Sequence, residues 1–136
     1  MEKKKITSYR DLDVYQRSYK ASLIIMQQVI PRLPEIEKFD LRSQLSRSSK
    51  AVPRLIAEGY AKKHQKKGFQ KYLDDALAES NETQVGMCHC RDIYSKEIDP
   101  DLSKMLIKEY DITSKQIYRL REAWSKFSNP TIPKQR

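Results

Sequence analysis

Residues 69–94 read FQKYLDDALAESNETQVGMCHCRDIY. Within this stretch Phe69, Leu73, Ala76, Ser80, Thr83, Met87, Cys90 and Tyr94 recur at alternating spacings of four and three, the period of one face of an α-helix. The side chains in the middle of that face are small and those at its ends are large. Neighbouring helices can therefore approach closely at a narrow waist, as they do in a bundle.

The same periodicity extends in both directions. Downstream, Pro100 suits a first helical turn, and Leu106, Tyr110, Thr113, Ile117, Leu120, Trp124 and Phe127 repeat the alternation. Upstream, Asp40 is a plausible N-cap for a helix carrying Leu41, Leu45, Val52, Leu55, Ile56 and Tyr60. Gly59 is expected to loosen the end of that helix, and Pro53, which lacks a backbone donor, to kink it or break it near Val52. The first run, Leu12, Tyr15, Tyr19, Leu23, Met26 and Ile30, ends at Pro31 and Pro34. That segment carries a second apolar stripe, Val14, Ala21, Ile25 and Val29, beyond the one stripe a monomeric bundle needs, which predicts a subunit interface, with a wide core-facing stripe as the alternative. No segment sustains a period of two. The pattern predicts an all-α, antiparallel up-down-up-down four-helix bundle over residues 9–127, between a basic N-terminal tail (1–8) and a disordered C-terminal tail (128–136).

A chain of 136 residues has room for one domain and can bury about two-thirds of the surface its unfolded form exposes, enough for a core without metal or disulfide staples. The longest unbroken apolar run, Leu23 to Met26, is far short of a membrane span, and Met1 to Ser8 is charged where a signal peptide would be apolar. The expectation is a cytoplasmic protein with no membrane partner, whose Cys88 and Cys90 remain thiols.

The net charge is +9, and it is unevenly placed. Residues 1–71 carry 17 basic and 7 acidic side chains, residues 72–136 carry 10 and 11. Between Leu41 and Lys71, nine cations face a single acid, Glu58. Such a field favours a polyanionic partner. Arg47, Lys50 and Arg54 fall two residues after core positions, about 200° round the helical wheel and hence on the solvent face. Lys62, Lys63, Lys66 and Lys67 extend that row, so these seven side chains are the candidate nucleic-acid-binding residues, RNA or DNA, through phosphates. A face of this kind could equally dock an acidic or nucleoprotein partner in a protein-interaction scaffold.

Other chemistry is poorly supplied. Tyr15, Tyr19, Tyr72, Tyr94, Tyr110 and Tyr118 fall on or beside apolar seams, where packing is their expected use, leaving Tyr60 as the tyrosine placed for stacking on bases. Neither His64 nor His89 has a glutamate three residues before it, so the paired Glu-x-x-His of di-iron bundles is missing. Cys88, His89 and Cys90 diverge by about 100° per residue on a helix and converge poorly on one metal ion. No catalytic residue, metal or cofactor is expected. Glu58 and Glu82, beside seam positions, read as polar contacts that fix helix register.

Several segments together resemble a bacterial family of four-helix-bundle proteins first found encoded in intervening sequences of 23S ribosomal RNA genes. Tyr9-Arg10-Asp11-Leu12-Asp13-Val14-Tyr15 resembles its aromatic-x-x-Leu-x-Val-aromatic opening. Leu41-Arg42-Ser43-Gln44-Leu45-Ser46-Arg47 resembles its Leu-x-x-Gln-x-x-Arg segment, and Val52-Pro53-Arg54-Leu55-Ile56-Ala57-Glu58-Gly59 its Ile-Pro-x-Asn-Ile-Ala-Glu-Gly segment. Tyr72-Leu73, Ala76 and Glu82-Thr83 follow in the third helix. Leu55 stands where the family has Asn, Ser46-Arg47 where it has Arg-Arg, and Ala78-Glu79 where it has Gly-Ser. The resemblance implies a homopentameric ring with a basic surface and no enzymatic activity. A relative of the family, the accessory variability protein of diversity-generating retroelements, is similar in fold and binds nucleic acid beside a reverse transcriptase, which implies a reverse transcriptase or ribonucleoprotein as a further partner.

Overall fold

A computed structural model describes residues 5–65 and 67–128, with side chains as far as residue 126. Residues 1–4 of the basic tail, Lys66, and residues 129–136 of the C-terminal tail lie outside the described residues. The chain forms four α-helices: α1 (Asp13–Ile24), α2 (Leu41–Ala61), α3 (Gly68–Ile93) and α4 (Pro100–Ser128).

The four-three face of α3 is its buried face. Phe69, Leu73, Ala76, Ser80, Thr83, Met87 and Cys90 are all fully shielded, and Gly86 is buried with them. Each large apolar side chain removed from water there contributes about 1.5–3 kcal/mol. The waist is lined by hydroxyls. Thr83 Oγ1 lies 2.7 Å from Ser48 Oγ on α2 and 2.8 Å from the Glu79 carbonyl, and Ser80 Oγ lies 2.8 Å from Ser114 Oγ on α4. These short side chains satisfy one another, so a polar waist is buried without an orphaned-donor penalty.

Contacts along each helix pair step in opposite directions, which makes the bundle antiparallel. On α3 and α4, Asp74 meets Arg121, Ser80 meets Ser114, and Gln84 donates to the Ile107 carbonyl. On α2 and α3, Gly59 lies against Tyr72, Ser48 against Thr83, and Leu45 against Gly86. Helix α1 packs against α2 and closes the bundle on α4, where Arg17 Nη1 donates to Glu109 Oε1 at 2.7 Å.

The structure differs from the sequence reading at four places. On α1 the second stripe is core and not a subunit interface: Val14, Ala21, Ile25 and Val29 are buried, Leu12, Tyr15 and Ile30 of the first stripe pack half-buried against that core, and Tyr19 and Leu23 are 47% and 40% exposed. Two buried serines complete the true seam, Ser18 and Ser22, whose hydroxyls donate to the Tyr15 and Tyr19 carbonyls at 3.1 and 2.6 Å. The α-helix then gives way to a π-helical turn, Ile25–Val29, and a 3₁₀ turn, Ile30–Arg32, because Pro31 supplies no N–H to the carbonyl four residues before it. Helix α2 runs unbroken through Pro53. Its first turn is capped by Glu37 rather than Asp40: Leu41 N–H donates to Glu37 Oε1 at 3.2 Å, while Asp40 makes no side-chain cap. Gly59 does not end α2, which continues to Ala61, but is buried in a close crossing with α3.

Three titratable groups gain protons' worth of stability from this packing. Burial, then the Glu37 charge, pushes the Cys90 thiol from 9.0 up to about 12. The Tyr94 hydroxyl donates to the Glu37 carboxylate, and that bond, followed by burial, raises it from 10.0 to about 12. Tyr110 is raised further still, by burial and then by Glu109, its hydroxyl having no hydrogen-bond partner among the described residues. Each group releases its proton at lower pH in the unfolded chain than in the folded one. Their contribution is whole below the unfolded values and is lost as pH rises through the folded ones. The denaturant midpoint should therefore fall steadily from about pH 9 to about pH 12, and Cys90→Ala should flatten the first part of that fall. A midpoint constant over this window would contradict the assigned burial.

Candidate nucleic-acid interface

Arg47, Lys50 and Arg54 all face solvent from α2, as their wheel positions require. From Arg47 to Lys62 the helix rises about 22 Å, the length of roughly six base pairs of duplex. The row is not uniformly cationic. Arg47 is forked between two carboxylates of α3, with Nη1 3.0 Å from Glu79 Oε1 and Nη2 2.6 Å from Glu82 Oε2. The Glu82 hydrogen bond, then the Glu79 charge, raises the guanidinium above its ordinary value. Glu82 thus does pin helix register, as its seam-edge position suggested. Arg54 makes a looser pair with Glu58 one turn on, 3.4 Å, both half in solvent. Lys50 has no carboxylate partner among the described residues.

At the end of α2 the connection to α3 presents the lysines. Lys62 and Lys67 are exposed and Lys63 is half-buried. Their backbone is held by aromatic packing underneath. Trp124 Nε1 donates to the Lys63 carbonyl at 3.3 Å, and Phe69 sits edge-on to both Trp124 and Tyr60, with centroids 5.0 and 6.2 Å apart. Tyr60 is already covered: Lys63 Nζ lies 4.2 Å from its ring centroid, an intramolecular cation–π contact. The tyrosine expected to stack on bases is the one the protein uses to seat a lysine.

The tyrosines that do reach the surface are elsewhere. Tyr19 and Tyr118 are 47% and 54% exposed, contrary to their expected packing role. Tyr15 and Tyr19, one turn apart on α1, stack at 5.9 Å with 21° between planes, and Tyr9 meets Tyr15 edge-on at 4.8 Å. Burial, then Tyr9, raises the Tyr15 hydroxyl above its ordinary value. This ladder forms one wall of a groove whose other wall is Lys50, Pro53, Arg54 and Ala57 of α2. The i, i+4 spacing of Tyr15 and Tyr19 is visible in the sequence, but the exposure of Tyr19 is not, since it follows from the burial of Ser18 and Ser22 on the other side of α1.

The 23S rRNA-intervening sequence protein family model matches residues 10–119 of this chain. The chain belongs to that family. No curated protein matches it. The family match spans α1 to α3 and most of α4, and so contains Arg47, Lys50, Arg54 and the lysine-rich connection. Its fold is the all-α bundle described above. Cys90 is a core thiol, whereas His89, the residue before it, faces solvent, and no group of metal-binding side chains is found among the described residues. No described helix is long and apolar enough to cross a membrane.

Proposed function

We propose that the protein is a non-enzymatic, homo-oligomeric bundle, a pentamer on the family resemblance, that binds RNA or DNA phosphates through the basic edge of α2 and its connection to α3. The observation that carries this reading is the row of exposed cations Lys50, Arg54, Lys62 and Lys67, with half-buried Lys63 and one loosely paired acid, Glu58, among them. Lys50 and Arg54 are held at fixed spacing by α2, and the connection is anchored by the Trp124 hydrogen bond to the Lys63 carbonyl, so several phosphates can be neutralised together with little ordering cost. Lys66 belongs to the same stretch of sequence, and Arg47 flanks the row with its charge offset by Glu79 and Glu82. The role would be that of an accessory to an rRNA intervening sequence or to a reverse transcriptase.

A labelled structured RNA and a matched DNA duplex, titrated at several salt concentrations, test the reading. The expected result is submicromolar binding with a steep fall of affinity as salt rises. Absence of binding at low salt would remove it. In that case the basic face would serve a scaffold that docks an acidic or nucleoprotein partner, to be sought by pull-down from the native host.

A further inference from the structure

The groove between α1 and α2 joins two chemistries that a nucleotide carries on one molecule. One wall is the ladder Tyr9, Tyr15 and Tyr19; the other presents Lys50 and Arg54; and no carboxylate lines it. The groove has a volume of about 300 Å³ and opens to solvent. By contrast, the cleft between α1 and α4 mixes Arg17 and Lys20 with Asp13 and Glu109.

The aromatic wall is held in place before any ligand arrives. Thr7 and Ser8 N–H groups donate to Asp11 Oδ2 at 2.8 and 3.1 Å, fixing the 3₁₀ turn that carries Tyr9 against Tyr15. The Ser22 hydroxyl is spent on the Tyr19 carbonyl, so the groove offers flat π-faces and cations and few competing polar groups. The α2 wall is low at this level because Pro53 is buried and Ala57 is small. Tyr19 ends the stack and leaves nearly half its surface in water. A further flat ring can be added there, with a flanking phosphate within the field of Lys50 and Arg54.

We propose that this groove is a subsite for an unpaired nucleobase and its adjacent phosphate, making the protein a reader of single-stranded segments in a nucleic-acid ligand. The proposal rests on the phosphate-binding reading above and refines it. A duplex cannot use the ladder, because its bases are already stacked on their neighbours. A second copy of this chain docking through its own basic half would bring more positive charge to two unneutralised or weakly neutralised cations, residues 1–71 carrying 17 basic against 7 acidic side chains. An acidic protein segment would satisfy the cations and leave the exposed Tyr19 ring unused.

The test compares a single-stranded oligo-uridine of about 12 nucleotides with an RNA duplex of the same length, on the full chain, for wild type, Tyr19→Ala and Tyr19→Phe. Tyr19 is exposed, so both variants should keep the thermal midpoint of wild type. Tyr19→Ala should weaken single-strand binding about 5- to 100-fold, the worth of one base–aromatic stack, with duplex affinity and salt slope unchanged, and Tyr19→Phe should retain wild-type affinity. Equal loss on both ligands, or no loss on the single strand, overturns the subsite while leaving the phosphate reading intact. If wild type binds neither ligand at low salt, both fall. Light scattering on Tyr19→Ala gives an independent check: dissociation of an oligomer would make the ladder a contact between copies and overturn the subsite.

Discussion

Alanine at Lys50, Arg54, Lys62, Lys63 and Lys67 together is expected to lower RNA or duplex DNA affinity by about 10⁴- to 10⁵-fold near 100 mM salt and to reduce the salt slope by about four to five. The estimate follows from counterion release: each neutralised phosphate contributes close to one unit to the slope, and about one decade of affinity at that salt. Stability should change little, because these side chains are surface groups and the strongest pair among them, Arg54 with Glu58, is an exposed contact within one helix. Arg47→Ala supplies the control. Its guanidinium is already shared between Glu79 and Glu82, so its removal frees two acids beside the row while costing only the modest energy of a half-exposed fork, about 0.5–1 kcal/mol. Its effect on the slope should be smaller than that of Lys50→Ala. If Arg47→Ala reduced the slope as much as Lys50→Ala, the fork would have to open on binding. If the five-site variant bound as wild type does, the face would be assigned wrongly.

Much of the bundle was legible because three of its helices announce their buried faces with regular apolar spacing. The α3 seam from Phe69 to Cys90 is buried residue for residue, and α4 buries Leu106, Tyr110, Thr113 and Ile117 as the alternation requires. Helix α1 was misread for a physical reason. Its core seam contains Ser18 and Ser22, which become apolar enough to bury only by donating their hydroxyls back to the Tyr15 and Tyr19 carbonyls, and a hydropathy pattern does not register that local bond. The larger tyrosines and Leu23 therefore outweighed them on paper. The groove is hidden for the same reason, since the apolar spacing assigns Tyr19 to the core together with Tyr15, which does pack there. On α2 the wheel placed the cations correctly, but the pairing of Arg47 is a tertiary fact, set by where Glu79 and Glu82 arrive on α3. The acids that offset it lie in the half of the chain that carries no excess charge, so a count along the sequence overstated the field at that end of the row.

Gly59→Ala should destabilise the protein by about 1–3 kcal/mol net, even though alanine in the middle of a helix is ordinarily worth up to about 1 kcal/mol more than glycine. A Cβ at Gly59 would lie 2.7 Å from Tyr72 Cβ and 2.9 Å from Phe69 Cδ1. Tyr72 Cβ moves only with the α3 backbone, and Phe69 is fully buried and wedged against Tyr60 and Trp124, so relief requires α2 and α3 to separate. That movement would also loosen the aromatic packing under the Lys63 carbonyl and with it the seating of the lysine-rich connection. Gly86→Ala makes the informative comparison. There the nearest atom is Leu45 Cδ2 at 2.6 Å, the far end of a side chain that can change rotamer, and its Cγ follows at 3.2 Å. Its cost should be smaller, because Leu45 can yield without moving either helix axis. Thermal midpoints should rank wild type above Gly86→Ala above Gly59→Ala, with Gly59→Ala lower than wild type by about 3–10 °C. Equal midpoints for wild type and Gly59→Ala would mean that α2 and α3 do not cross as closely as their backbones place them, and the glycine of the Ala57-Glu58-Gly59 segment would then need a reason other than helix approach.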